Sequence, residues 1–367
     1  MGTLRLLLAF AVVIAHSQPL YGFVGIGSSA VPAFFIISGF YMCLVLSTTY
    51  NKPGAIRLFY INRFLRLFPL YWSVLLIFYL TALLTQTGDH PFFDRVIYLA
   101  RNSIQPSTDG TVASAWAAIP NLFVIGSDIL RLFAITPETG DIILMLQSDY
   151  QKNYIGMDKY LVMPQIWSLG VELVCYAVAP FLVRLKTTWL TLFLLLFIWV
   201  QVYSNASLLT WKHLPSWYNF SYFLLGILSF RLSRWLSNRT PKPAAYMAAS
   251  FPFVLWAFYP SIAQMVSGAL IWGIWGLYAL GMTTLFSLTK NLAWDRNLGN
   301  LSYPVYLIHW LFSWPAVTFG AAQPVAAMAA SCLVSWMLIK LIDDPVEKIK
   351  KLRGFSNKIA LSATVDA

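Results

Sequence analysis

An all-α integral membrane protein, a bundle of about ten transmembrane helices with one long extracytoplasmic loop, is the fold class this sequence predicts. Three observations carry the prediction. The 367 residues are 59% hydrophobic and 11% charged, with a mean hydropathy of +0.66, whereas a soluble domain carries about 25% charged residues. Apolar runs near the roughly 20 residues that a helix needs to cross about 30 Å of hydrocarbon recur along the chain. The runs are continuous and do not alternate every second residue, which disfavours a spanning β-barrel.

The predicted spans are residues 4–21, 30–48, 70–84, 166–183, 189–203, 218–230, 244–259, 262–285, 301–319 and 325–341. Lysine and arginine accumulate on cytoplasmic segments. With the amino terminus inside, that side collects 19 of the 25 basic residues, and only Arg95, Arg101, Arg131, Lys152, Lys159 and Lys212 fall outside. Both termini are therefore expected in the cytoplasm. Anchoring to anionic lipid accounts for most of the net charge of +11, and with no recognition motif present nucleic acid is set aside as a partner. Cys43, Cys175 and Cys332 are isolated, which supports neither a disulfide framework nor a metal site.

Residues 1–345 read as one transmembrane domain and 346–367 as a basic cytoplasmic tail. The extracytoplasmic loop, 86–165, holds 8 of the 14 acidic residues and is too long for a mere connection. Within it, 112–135 is apolar enough for an interfacial or re-entrant helix, though Pro120, Asp128 and Arg131 argue against a full crossing. His90 and His213 read as surface residues of external loops.

Polar residues inside the spans point toward function, because each costs free energy in hydrocarbon. In LRLLLAFAVVIAHS, eleven residues separate Arg5 from His16. On a helix they lie about 20° apart around the axis and about 16 Å apart along it. Pro19, Gly22, Gly25 and Gly27 then interrupt the helix, and broken backbone at membrane depth is buried in protein or lines a wet cavity. A buried histidine beside it favours function; Arg5 alone equally suits snorkelling to lipid phosphate.

In FFIISGF, Ser38 and Gly39 allow close approach of a ligand or, as commonly, of another helix. Arg63 and Arg66 in NRFLRLFPLYW share a helical face, with Arg57 nearby. They suit a phosphate clamp or simple positive-inside anchoring. WSLGVE places Trp167, Ser168 and Glu172 at the outer start of the fourth span, and LSYPVYLIHW places Ser302, Tyr303, Tyr306 and His309 in the ninth. Hydrogen bonding within the bundle is the first reading of that last group.

These motifs in this order resemble the acyltransferase 3 family of membrane-bound O-acyltransferases. Arg5 and His16 match its R-x10-H feature, FFIISGF its SGF element, Arg63 and Arg66 its RxxR element, WSLGVE its WSLxxE-like element and LSYPVYLIH its late Tyr/His helix. The likeness spans about residues 3–342. The SGNH hydrolase-like domain that some members append is expected to be absent, leaving transfer to the bundle and its loop.

The resemblance implies transfer of an acyl group, commonly acetyl, from cytoplasmic acyl-CoA to a hydroxyl of an extracytoplasmic glycan, such as lipopolysaccharide, exopolysaccharide or a lipid-linked sugar. The setting it implies is the bacterial cytoplasmic (inner) membrane. Acetyl-CoA is then a donor substrate, with no permanently bound cofactor and no metal. His16, Glu172 and Arg5 become the catalytic candidates. Arg63, Arg66 and Arg57 become the acyl-CoA site, with Ser38, Gly39, Trp167, Ser168, Tyr306 and His309 in support. His16 can serve as general base or carry the acyl group, and Glu172 can orient it or bind the acceptor. A transporter or flippase for a lipid-linked sugar is the alternative from another class.

Overall fold

The computed structural model describes residues 1–17, 26–85, 108–136, 141–144, 154–204, 215–236, 242–266, 268–313 and 322–352. The chain divides into two compact units. One comprises Met1–Leu67, Cys175–Trp199 and Asn219–Ala367, the other Phe68–Val174 and Val200–Tyr218.

The helices are α1 (Gly2–His16), α2 (Ile26–Thr48), α3 (Ala55–Thr85), α4 (Thr108–Phe123), α5 (Ile166–Leu182), α6 (Thr187–Ser204) and α7 (Pro215–Leu236). They continue as α8 (Lys242–Met265), α9 (Leu270–Thr289), α10 (Ala293–Ile308), the short α11 (Trp310–Ser313) and α12 (Gln323–Leu338). A π-helical segment, Ile339–Asp343, then leads into α13 (Asp344–Leu352). Among the described residues, five helices are long and apolar enough to cross a membrane, and three further apolar helices are shorter. The protein is thus a helical membrane protein by length and composition of its elements.

Several expected boundaries move. The third helix begins at Ala55, well before residue 70, and carries Arg57, Arg63 and Arg66. It continues through Pro69, which lacks the N–H that would bond the Leu65 carbonyl but does not end the helix. Residues 262–265, expected to open the eighth span, instead finish α8. Its internal Pro260 does not end it, and Gly268 at φ +61 makes the turn into α9. Helix also persists to Leu352, into the segment read as a tail. Gly27, expected to interrupt the helix together with Pro19, Gly22 and Gly25, instead lies in α2, while the other three fall outside the described residues, as do His90 and His213.

In the first unit the helices meet at glycines. A Cβ on Gly39 would lie 2.0 Å from the Phe223 carbonyl oxygen, and one on Gly226 would lie 2.1 Å from that of Ile36, so α2 and α7 touch backbone to backbone. A Cβ on Gly281 would stand 2.4 Å from the Ala248 oxygen, where α9 crosses α8. Hydrocarbon gives helices no hydrophobic reason to associate, so small residues and close van der Waals packing do the work. Leu192, Leu195, Leu196 and Trp199 of α6 are exposed, an apolar face suited to lipid and not to water.

The second unit corrects the all-α expectation. The region read as a loop contains α4, a 3-10 turn at Ile129–Leu132, and a three-stranded antiparallel sheet. Strand β1 (Phe133–Ile135) lies between β2 (Ile142–Leu144) and β3 (Ile155–Gly156), with Phe133 opposite Leu144 and Ile135 opposite both Ile142 and Ile155. Apolar β-branched residues make such short strands favourable, and an apolarity average over 112–135 could not separate them from helix. Asn121 holds the unit together: its Nδ2 donates to the Tyr160 carbonyl at 2.9 Å, and its Oδ1 accepts from the Val162 N–H at 2.8 Å.

Candidate functional site

Helices α1 and α10 run side by side in the same direction, which the alternating charge pattern requires of its first and ninth spans. At their amino ends a Cβ on Gly2 would sit 1.7 Å from the Asp295 carbonyl oxygen, so only glycine allows this approach. The Asp295 carboxylate fills the start of α1. Its Oδ2 accepts from the Met1 ammonium and the Gly2 N–H, each at 2.8 Å, and its Oδ1 accepts from the Thr3 N–H at 2.9 Å and the Thr3 hydroxyl at 2.8 Å. The first N–H groups of a helix have no internal partner and carry its positive dipole end, so one buried carboxylate from α10 completes α1. Burial pushes that carboxyl upward, but the ammonium and the Thr3 and Gly2 donors outweigh it and hold the group well below the usual carboxylate range.

Fourteen residues further along each helix, a rise of about 21 Å, the same pairing brings His16 to His309. His16 Nδ1 lies 2.9 Å from His309 Nε2, with the ring centroids 5.1 Å apart and the planes 19° apart, so the two imidazoles meet edge to edge. His309 is fully buried, and its Nδ1 lies 2.7 Å from the Tyr306 carbonyl oxygen. That oxygen can only accept, so His309 Nδ1 carries the proton. A neutral His309 then presents a lone pair at Nε2, and His16 Nδ1 must donate to it. The remaining nitrogen, His16 Nε2, is left with a lone pair on an exposed ring. This is the arrangement of an oriented base or nucleophile.

Trp310, the first residue of α11, also lies against the His16 imidazole, with centroids 4.8 Å apart and planes 35° apart. Tyr306 stands 5.9 Å from the His309 ring and meets Phe34 of α2 edge-on. The Ser302 hydroxyl turns back to the Gly299 carbonyl at 2.7 Å, and Tyr303 donates to the Leu67 carbonyl at 3.0 Å, so these two serve the helix scaffold.

A second cluster gathers cations of the same unit. Arg5 and Arg63 are electrostatic neighbours of Arg66, with Asp343 as an opposing charge. The Arg63 guanidinium also lies over the Phe59 and Tyr176 rings, 5.8 and 5.6 Å from their centroids, a favourable cation–π geometry. Arg57 does not join: nine residues before Arg66 on α3, it points about 180° around the axis and is exposed.

Glu172, Trp167 and Ser168 lie on α5 in the second unit. The Arg131 guanidinium stands 5.3 Å from the Trp167 ring centroid, and the Ser168 hydroxyl donates to the Gln165 carbonyl at 3.3 Å. Gly170 admits the turn after α4, since a Cβ there would meet Ser127 Oγ at 2.5 Å. That turn holds Val124 at φ +67, a strained value for a β-branched residue. Ser38 is buried, and Gly39 admits the α7 backbone and no ligand.

Sequence reasoning read His309 first as a hydrogen-bonding residue of the bundle, which it is, and did not single out Asp295, Trp310 or Asp343. Asp295 and Asp343 left a trace, as two of the few acidic residues outside the long loop. The partners of Asp295, at the far end of the chain, left none.

An uncharacterized protein of Aquifex aeolicus (strain VF5) is 28% identical over 204 residues, covering 51% of this chain and 89% of its own length. No solved structure matches the chain. The family model described as an acyltransferase domain matches residues 2–340, nearly the whole chain. The R-x10-H helix, the cation cluster and the late histidine helix all lie within that match, and the chain belongs to the acyltransferase 3 family.

Proposed function

We propose that the protein moves an acyl group, most commonly acetyl, from cytoplasmic acyl-CoA to a hydroxyl of an extracytoplasmic glycan in the bacterial inner membrane, with both chain termini cytoplasmic. The observation that carries this reading is the His16–His309 pair, which leaves one imidazole nitrogen with a lone pair and an exposed face. Arg5, seated three helical turns earlier on α1, belongs to the cation cluster with Arg63 and Arg66. Guanidinium groups match phosphate in charge and geometry, so the cluster suits the phosphates of CoA, and the pantetheine arm would span the distance along α1.

In this mechanism His16 Nε2 accepts the proton of the sugar hydroxyl as its oxygen attacks the thioester carbonyl. The C–S bond breaks, the new ester C–O bond forms, and the CoA thiolate takes up the proton from His16. His309 accepts a hydrogen bond from His16 Nδ1 throughout, which favours the imidazolium formed in passing. Glu172 and Trp167 are assigned to the acceptor side.

The test is the acyl content of surface glycan by mass spectrometry, with and without the protein and with His16→Ala. Loss of the mass of an acetyl group is the expected result in both deletion and variant. Unchanged glycan in the deletion strain overturns the acceptor assignment. Normal acylation by His16→Ala removes His16 from the chemistry.

A further inference from the structure

Helix α13 lies beyond the residues 2–340 that the family model matches. Composition makes this region a solvated basic tail, and most of its charges behave as one. Lys350 does not: it is 8% exposed, and lysine is almost never buried unless paired. Its ion pair, 3.4 Å to Glu347, joins it to a carboxylate that is itself half exposed. The other charges around Lys350 include Arg66 and Arg63.

Fold geometry therefore adds a fourth cation to Arg5, Arg63 and Arg66. Asp343, the last residue of the π-helical segment, is an electrostatic neighbour of both Arg66 and Lys350. These cations repel one another, the neighbouring carboxylates Asp343, Asp344 and Glu347 offset part of that repulsion, and an entering anion relieves more of it. Arg63 Nε is buried with no hydrogen-bond partner among the described residues, which leaves a donor for that anion. Single-turn π segments recur at functional sites, and this one brings both Asp343 and α13 to the cluster.

We propose that Lys350 is a phosphate-binding residue of the donor site and that Asp343 is the internal counter-ion that an incoming phosphate displaces. The ligand class is a polyphosphate-bearing nucleotide thioester. The inference rests on the acyl-CoA reading given above. Anionic lipid headgroups offer the same phosphate chemistry, so the test separates the two sources.

The experiment measures binding of coenzyme A by calorimetry to the full-length protein in nanodiscs of phosphatidylcholine alone. Lys350→Gln should raise the Kd about tenfold and Lys350→Arg should restore it, the size of one charge-assisted hydrogen bond. Asp343→Asn should lower the Kd several-fold, a gain that a damaged fold cannot mimic. Wild type that binds coenzyme A with an affinity unaltered by Lys350→Gln and Asp343→Asn overturns this inference alone. Wild type with no coenzyme A affinity overturns the donor reading as well. If Lys350→Gln changes only retention of phosphatidylglycerol, read by native mass spectrometry in mixed nanodiscs, the site is a lipid site and the inference fails.

Discussion

The two ends of α1 are built from the same helix pair and treated in opposite ways. At the amino end the Met1 ammonium, the Gly2 and Thr3 N–H groups and the Thr3 hydroxyl all donate to Asp295, in a close contact that glycine at position 2 makes possible. At the carboxyl end His16 is bonded on one nitrogen and open on the other. A saturated polar cluster rigidifies, whereas a half-saturated one retains capacity for chemistry at some cost in stability. The difference marks the Asp295 end as the anchor and, on the function proposed above, the His16 end as the working part, held in place from about 21 Å away by two parallel helices.

This contrast makes graded predictions. The largest effect belongs to His16→Ala, which should lower acyl transfer by about 10³-fold, within the range of general base catalysis, at unchanged protein level in the membrane. Activity near wild type in membranes containing equal protein would erase the distinction between the two ends. Next, Asp295→Ala should destabilise the protein by about 3 kcal/mol, as for a buried ion pair broken on one side, and speed amide exchange in the first turn of α1. Because the Asp295 carboxyl is held below its ordinary value, its contribution is present in full above the usual carboxylate range and lost as pH falls through the depressed folded value. A melting temperature equal to wild type would show that α1 is anchored elsewhere.

A smaller effect is expected for His309→Gln. It should lower kcat by roughly 10- to 100-fold, equivalent to the 1.5–3 kcal/mol of a hydrogen bond to a charged group, while KM for both substrates stays near wild type. The pH profile of kcat should shift as well, since His309 acts through the His16 imidazole; an unshifted profile would reduce His309 to a packing residue. Smallest of all, Ser302→Ala should cost under about 1 kcal/mol, because its hydroxyl only doubles a carbonyl bond of its own helix. A loss of activity without loss of stability in that variant would extend the working region down α10.

Much of the helix pattern was legible because hydrocarbon demands long apolar runs, and those runs are visible one residue at a time. The rise and rotation of a regular helix likewise put Arg5 and His16 on one face before any partner was known. The elements that went unread are those whose composition is mixed. Short strands β1, β2 and β3 sit in an acidic segment, read from the sequence as an external loop, whose apolar stretches look like fragments of helix. Helix α13 reads as a basic tail because burial of Lys350 depends on where Arg63 and Arg66 lie, not on the residues beside it.

Sequence by itself determined the membrane class, the helical character of its spans, the family motifs and the identity of His16, because each is written in local composition and spacing. Tertiary structure alone decided which residue faces His16, which carboxylate anchors α1, that Arg57 stands apart from Arg63 and Arg66, and that Gly39 admits a helix. The physical reason is that each of these is a contact between segments tens to hundreds of residues apart. His16 and His309 are separated by 293 positions, and only the packing of α1 against α10 brings their rings into register.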